Sequence, residues 1–146
     1  MVAVGNPLHA SCVVIGGRAL LIAGRSGSGK SDLALRLIDR GAALLSDDYT
    51  QLTAHAGRLI ARPPQSIAGK IELRGVGLID IGHVDEAPVA LLLDLDRSPE
   101  RLPEEPAASI TLEGISIPAL AFAPFEASAP IKAEQALLRH GVGEPQ

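Results

Sequence analysis

The chain of 146 residues is long enough for one domain with a buried core, since 47% of its residues are hydrophobic and 21% are charged. Its formal net charge of −4 and its aromatic content of 2% argue against binding of nucleic acid, which favours basic surfaces and stacking platforms. No apolar stretch approaches the ~20 residues that cross a bilayer. The single cysteine, Cys12, excludes a disulfide framework. We therefore expect a soluble, cytoplasmic domain that binds neither nucleic acid nor membrane.

The 15 glycines and 11 prolines imply many turns, which favours short strands over long helices. The first predicted element is a β-hairpin over residues 11–22, where the apolar runs SCVVI and RALLI flank Gly16-Gly17. A helix follows over SDLALRLIDRG, because apolar residues recur at helical spacing from Leu33 to Ile38 and Gly41 provides a stop. The run AALLSDD then predicts a short buried strand that ends in two carboxylates.

The rest of the chain is predicted to alternate between strands and turns. The expected elements are a hairpin over Tyr49–Arg62, a half-buried strand around Ile71 and Leu73, a turn or close backbone approach at Gly75 and Gly77, a central strand ending at Asp94, a surface loop over Arg97–Ala107, a hairpin over Ile110–Leu120 and a helix over Ile131–His140. All of them are expected to belong to one domain over residues 1–146, because too little chain follows the loop for a second core.

The segment GRSGSGKS matches the phosphate-binding pattern G-x-x-x-x-G-K-[ST], with the strand before it and the helix after it that the pattern requires. Its glycines let backbone N–H groups turn towards phosphate oxygens, and the helix that follows adds its positive N-terminal end. Lys30 is expected to reach the β- and γ-phosphates, and the Ser31 hydroxyl to ligate Mg²⁺. The predicted nucleoside triphosphate site is formed by Gly24, Arg25, Ser26, Gly27, Ser28, Gly29, Lys30 and Ser31.

A P-loop enzyme also needs a carboxylate at the end of a buried strand to hold Mg²⁺, and the sequence offers two places for it. Asp94 closes ALLLD and has the general pattern, whereas Asp47 and Asp48 close ALLSDD. A strand that directly follows the P-loop helix can return beside the first strand and bring its C-terminal end towards the phosphates, which favours Asp47 and Asp48. Because side chains alternate along a strand, one carboxylate would face the metal and the other an attacking hydroxyl.

Two segments between His9 and Ile81 carry a resemblance to a known family: HASCVVIGGRALLIAGRSGSGKSDLALRLIDRGAALLSDD and IELRGVGLIDI. They resemble the C-terminal catalytic domain of HPr kinase/phosphorylase in its short alphaproteobacterial form, the second being similar to the signature E-x-R-G-L-G-[IL]. The resemblance implies an α/β fold with a mixed sheet related to phosphoenolpyruvate carboxykinase, and the predicted hairpins agree with it. It also implies ATP and Mg²⁺ as cofactors, the phosphocarrier HPr as protein substrate, and a homo-oligomer, which is a hexamer in the family.

The resemblance also implies roles for individual residues. Asp48 fits the acid/base that accepts the proton of the target serine, and Asp47 would support the metal or the base. Lys30 would stabilise the charge of the transferring phosphoryl group. The full set comprises catalytic roles for His9, Lys30, Asp47, Asp48 and Arg74, and Mg²⁺ coordination by Ser31, Glu72 and Asp47.

The chain departs from full-length members of the family in three places. Those members carry an N-terminal domain, whereas this chain begins at the catalytic domain. Their arginine-bearing loop corresponds here to Ile117–Ala121, which contains no arginine, and of their C-terminal helices only Ile131–His140 remains. Because that loop includes a catalytic arginine of the family, its loss is expected to impair the reverse reaction, in which phosphate attacks phosphoserine, more than phosphorylation.

Two other functions also fit a P-loop. A kinase of a small metabolite would use Asp94 for the metal and leave Glu72 and Arg74 dispensable. A nucleotide-binding sensor would change its affinity for a partner when ATP binds but transfer nothing, so Asp48→Asn would leave its function intact. The interpretation favoured by the sequence is the protein-serine kinase.

Overall fold

In the computed structural model, which describes residues 5–144, the chain forms ten strands and two α-helices. In chain order the elements are β1 (Ala10–Ile15), β2 (Arg18–Ala23), α1 (Lys30–Asp39), β3 (Ala43–Ser46), β4 (Gln51–His55), β5 (Arg58–Arg62), β6 (Lys70–Leu73), β7 (Gly77–Asp80), β8 (Ala87–Asp94), β9 (Ser109–Leu112), β10 (Ile115–Ala121) and α2 (Ala129–His140). Helix α2 begins two residues earlier than predicted, because Pro130 fits the first helical turn.

Eight of these strands form one mixed sheet in the order β3-β1-β2-β8-β10-β9, with the β4–β5 pair attached to β8. Strands β2, β8 and β10 are parallel neighbours, whereas β1 runs antiparallel to both β2 and β3. The carboxyl ends of β2, β3, β8 and β10 therefore meet at one edge of the sheet, together with the amino end of β1. The prediction of an α/β fold with a mixed, hairpin-rich sheet is confirmed.

Three predicted hairpins are present, and each has a two-residue turn with positive φ at both positions. The turns are Gly16-Gly17, Ala56-Gly57 and Glu113-Gly114. This left-handed geometry matches the twist of the flanking strands, which is why glycine occurs in each turn. A fourth hairpin was not predicted: β7 pairs with β6 in a separate two-stranded sheet, and its largely exposed residues lack the alternation that signals a strand.

The main sheet is covered on both faces, which explains why β2 and β8 are continuously apolar. The face towards the helices carries Leu20, Ile22, Leu91 and Leu93 against Leu33, Leu37, Ala133 and Leu137. The opposite face carries Leu21 and Leu92 against Leu52, Leu59 and Leu112. Within residues 5–144, neither helix has the length and apolarity that crossing a membrane requires.

The structure tests the sequence predictions for two regions in the second half of the chain. Residues 97–107 form neither helix nor strand, as predicted for a surface loop. The segment Ile117–Ala121, matched above to the family's arginine-bearing loop, lies within β10, in agreement with the hairpin predicted over Ile110–Leu120. It is a strand because Ile117 is buried in the core and the segment pairs with β9 on one side and β8 on the other.

We expect Leu92→Ala to lower the free energy of unfolding by about 2–5 kcal/mol, because it removes fully buried methyl groups from central strand β8 and leaves a cavity. Urea unfolding measures the difference. The matched control is Leu102→Ala, since that side chain is 77% exposed in the loop. The control should change the same quantity by less than about 0.5 kcal/mol, and equal losses in the two variants would contradict the packing described above.

Candidate active site

A cleft of about 520 Å³ opens at the edge of the sheet where the carboxyl ends of β2 and β3 meet. The P-loop lies on one side of the cleft, and the β6–β7 hairpin contributes Glu72, Leu73, Arg74 and Val76 on another. The predicted site residues that line it are Ser26, Gly27, Gly29, Lys30, Ser31, Asp47, Asp48, Glu72 and Arg74. Four other predicted residues do not line the cleft: Gly24, Arg25, Ser28 and His9. The carbonyl oxygens of Gly24 and Arg25 accept hydrogen bonds from Lys30, the Ser28 side chain lies against Gly24, and His9 pairs with Asp48.

The P-loop has the tight, glycine-dependent form that phosphate binding requires. Gly27 and Gly29 have φ of 83° and 100°, in the left-handed region that other residues rarely adopt. A Cβ at Gly24 would collide with the side chain of Ser28. The buried Ser28 hydroxyl has no hydrogen-bond partner within residues 5–144. A loop whose backbone is bent inward and whose hydroxyl is unpaired fits an anion such as phosphate.

The ammonium group of Lys30 is held inside this loop. Its side chain is 5% exposed, and Nζ donates hydrogen bonds to the carbonyl oxygens of Gly24 at 2.8 Å and Arg25 at 3.1 Å. Nζ also lies 3.8 Å from Asp48 Oδ1. Burial lowers the pKa of Lys30 below its ordinary value, and nearby carboxylates, that of Asp48 foremost, oppose this shift. A bound phosphate would likewise favour the charged ammonium.

Asp47 is a nearly buried carboxylate that joins three separate segments of the chain. Its Oδ1 accepts hydrogen bonds from the Ser31 hydroxyl at 2.6 Å and the Ser11 hydroxyl at 3.0 Å, and its Oδ2 accepts one from the backbone N–H of Glu72 at 3.0 Å. These donors belong to the P-loop helix, β1 and β6. The carboxylate is therefore fixed next to the P-loop hydroxyl that the sequence assigns to Mg²⁺.

Asp48 points away from Asp47 for a reason that the sequence did not reveal. Both residues follow Ser46, the last residue of β3, so the predicted alternation along a strand is wrong. The backbone of Asp48 adopts a φ of 68°, a left-handed conformation that aspartate tolerates better than most residues. Its N–H donates to the Ser11 hydroxyl at 3.0 Å. The turn leaves the Asp48 side chain 51% exposed at the cleft.

His9 stands immediately before β1 and pairs with this exposed carboxylate. The distance from His9 Nε2 to Asp48 Oδ1 is 2.8 Å. The imidazole stacks on the ring of Tyr49, with centroids 5.0 Å apart and planes inclined by 22°. Because β1 is antiparallel to β3, its amino end brings His9 to the end of β3 where Asp48 lies.

Sequence reasoning missed two residues of this arrangement, Ser11 and Tyr49. Ser11 is fully buried and contacts both aspartates through one hydroxyl. It stood out in the sequence only as the single hydroxyl in the apolar run SCVVI, and that is a weak signal. Tyr49 is the single tyrosine of the chain, and nothing in the surrounding pattern indicates that it supports His9.

Asp94 does not take the place that the alternative metal assignment gave it. It is 3% exposed at the end of β8 and does not line the cleft. Its Oδ1 accepts the N–H of Asp96 at 3.0 Å, and the Asp96 carboxylate in turn accepts the N–H of Arg25. Asp94 thus supports the start of the P-loop through Asp96, whereas Asp47 is the carboxylate that accepts a hydrogen bond from Ser31.

The residues beside Ser31 suit Mg²⁺ bound together with phosphates. Within residues 5–144 there is no cluster of three or more His, Cys, Asp or Glu side chains able to hold a metal by themselves. Magnesium prefers oxygen ligands and is usually held by one or two carboxylates plus substrate phosphates and water. Ser31, Asp47 and Glu72, which all line the cleft, supply that kind of donor set.

Comparisons with known proteins relate this chain to one family. The family model of the HPr serine kinase C-terminal domain matches residues 1–85. The HPr kinase/phosphorylases of Clostridium beijerinckii and Clostridium acetobutylicum are 45% and 40% identical to this chain over 74 residues. These matches cover 51% of this chain and 24% of each relative, so the chain matches about a quarter of the relatives' length.

A solved structure extends the likeness beyond the matched segment. The Hpr(Ser) kinase/phosphatase from Coxiella burnetii superposes with a TM-score of 0.77 and 31% identity, over 89% of this chain and 92% of that one. This likeness confirms the predicted fold related to phosphoenolpyruvate carboxykinase. With the family model matching more than half of its residues, the chain belongs to the HPr serine kinase C-terminal domain family.

Proposed function

We propose that this chain is the catalytic domain, over residues 1–146, of a protein-serine kinase that transfers the γ-phosphoryl group of ATP to a serine of the phosphocarrier HPr. The observation that carries the proposal is one cleft that joins a P-loop to Asp48, an exposed carboxylate paired with His9. A P-loop alone serves many reactions, but a carboxylate beside its lysine is placed to activate a hydroxyl. The names of the relatives support HPr as the substrate.

In this proposal the P-loop binds the phosphates of ATP and Lys30 stabilises their charge. The backbone N–H groups between Gly24 and Ser31 surround the phosphate oxygens. The phosphates replace the carbonyl oxygens of Gly24 and Arg25 as acceptors for the Lys30 ammonium. Ser31, Asp47 and Glu72 would hold Mg²⁺, which supplies further neutralisation of phosphate charge when it is bound.

Asp48 acts as the base in the transfer step. The seryl hydroxyl gives its proton to the Asp48 carboxylate while the seryl oxygen forms a bond to the γ-phosphorus. The bond between that phosphorus and the bridging oxygen breaks, and ADP leaves. His9 holds the Asp48 carboxylate through their hydrogen bond, and Arg74, exposed on the same cleft, stabilises the moving negative charge.

The proposal also covers the favoured direction of the reaction, the cellular location of the enzyme and its oligomeric state. Strand β10 supplies no arginine to the cleft, so we expect phosphorylation to exceed phosphorolysis. We also propose that the protein is cytoplasmic and forms homo-oligomers, hexamers by the resemblance to its family. The metabolite kinase is disfavoured because Asp94, its metal residue, lies outside the cleft. The nucleotide-binding sensor differs from the kinase in transferring no phosphoryl group, so an assay of transfer separates the two.

The test of this function is transfer of label from γ-labelled ATP to purified HPr in the presence of Mg²⁺, with the label then located on serine. Lys30→Ala is expected to lower transfer by at least about 10²-fold, because it removes a buried charge aimed at the phosphates. Lys70→Ala is the matched control, since Lys70 pairs with Asp80 away from the cleft. No label on HPr from a wild-type protein that binds ATP would overturn the kinase.

The metal assignment predicts different behaviour for two buried aspartates. Asp47→Asn is expected to weaken Mg²⁺-dependent transfer by about 10–100-fold, because it disturbs the group that orients Ser31. Asp94→Asn should retain most of the activity, since the amide oxygen still accepts the Asp96 N–H. Titration of activity with Mg²⁺ separates the two variants. A raised Mg²⁺ requirement in Asp94→Asn, with none in Asp47→Asn, would move the metal assignment from Asp47 to Asp94.

A further inference from the structure

Phe125 is an exposed aromatic ring in a protein that has very few. The chain contains two phenylalanines, one tyrosine and no tryptophan. Phe122 is buried in the core, and Tyr49 stacks on His9. Phe125 is 71% exposed and lines the cleft, and the proposed transfer reaction does not use it.

The ring of Phe125 lies directly against the P-loop. A Cβ built at Gly29 would stand 2.9 Å from Cε1 and 3.0 Å from Cζ of Phe125, which shows how closely the ring approaches the loop backbone. The same cleft is lined by Ser26, Asp32 and Leu35, which border the phosphate site on the side of α1. The ring therefore lies in the same cleft that would hold a group joined to phosphates in the P-loop.

The segment that carries Phe125 is anchored on both sides of the ring. The guanidinium of Arg36 donates to the carbonyl oxygen of Pro124 and, at 3.2 Å, to that of Glu126. Arg36 also forms an ion pair with Asp32 at 3.0 Å. Arg36 and Asp32 both lie on α1, the helix that begins at the P-loop. The backbone that carries the ring is thus held beside the phosphate site before any ligand binds, which reduces the conformational entropy that binding must cost.

We propose that Phe125 is the platform on which the base of the nucleoside triphosphate stacks, an inference that rests on the proposed function and adds a base-binding subsite to it. Phe125 follows β10, whose carboxyl end reaches the same edge as the P-loop strand, and ligands of such sheets bind at that edge. Stacking on one ring suits any base, with purines offering the larger surface. A single platform serves one nucleotide, and the formal net charge of −4 disfavours a longer nucleic acid.

The test compares two ligands that share phosphates and differ in the base. Phe125→Ala is expected to weaken binding of ATP, measured by calorimetry with Mg²⁺, about tenfold or more. Binding of inorganic tripolyphosphate should change by less than about twofold, because it has no base to stack. Leu138→Ala, which removes an exposed apolar side chain on α2 outside the cleft, is the matched control and should leave both affinities unchanged.

A second variant gives a direct signal. Phe125→Trp introduces the only tryptophan of the chain, and its fluorescence should be quenched by ATP and not by tripolyphosphate. Leu138→Trp supplies the control fluorophore, which should respond to neither ligand. If ATP does not change the tryptophan emission at position 125 while calorimetry shows that ATP is bound, the assignment of Phe125 as the base platform is wrong.

The outcomes separate this inference from the kinase proposal. If Phe125→Ala binds ATP normally while Lys30→Ala does not, the base lies elsewhere and only the platform is wrong. If Phe125→Ala instead raises the KM for HPr alone, the ring contacts the protein substrate and the platform is again wrong. If ATP binding depends on Phe125 but no label reaches HPr, the platform stands and the kinase proposal falls.

Discussion

The carboxylate of Asp47 is the constraint on which the site depends. Burying a carboxylate without partners costs several kcal/mol, so the fold must bring donors to it. Those donors come from Ser31 in the P-loop helix, Ser11 in β1 and the backbone of Glu72 in β6. Satisfying one buried charge therefore fixes the P-loop, the hairpin strand and the second signature segment relative to one another.

The topology of the sheet explains why the P-loop, the two aspartates and His9 meet at one edge. Strands β2 and β3 both end at one edge, and β1 lies between them in the antiparallel direction. One edge therefore carries the start of the P-loop after β2, the two aspartates after β3 and His9 before β1. Ser11, near the start of β1, then bridges Asp47 and Asp48 through a single hydroxyl, which separates a buried carboxylate from an exposed one.

Much of this arrangement was predictable from local sequence, because its signals are local. The P-loop spacing, the Gly-containing turns and the apolar runs each act over a few residues, and the corresponding elements were found. The reason why Asp47 and Asp48 point in different directions was not predictable, since it lies in the left-handed backbone of Asp48 and in Ser11 across the sheet. The β6–β7 hairpin was missed because its second strand is largely exposed and carries no periodic pattern.

The same distinction applies to Asp94 and Phe125. Asp94 matches the general metal pattern in sequence, but its carboxylate is taken up by the N–H of Asp96. Phe125 has no motif around it, and its position over Gly29 depends on the Arg36 contacts that only tertiary structure creates. Residues whose role depends on a distant partner are the ones that sequence patterns overlook.

The most direct measurement is the single-turnover rate of phosphoryl transfer to HPr by Asp48→Asn with saturating ATP and Mg²⁺. Loss of the base should lower that rate by about 10²–10⁴-fold, with the Kd for ATP unchanged within about threefold. Asp85→Asn is the matched control, because His83 and Asp85 form a similar pair, 3.0 Å apart, outside the cleft. A normal rate in Asp48→Asn would contradict the assignment of the base and, with it, the account of how this cleft works.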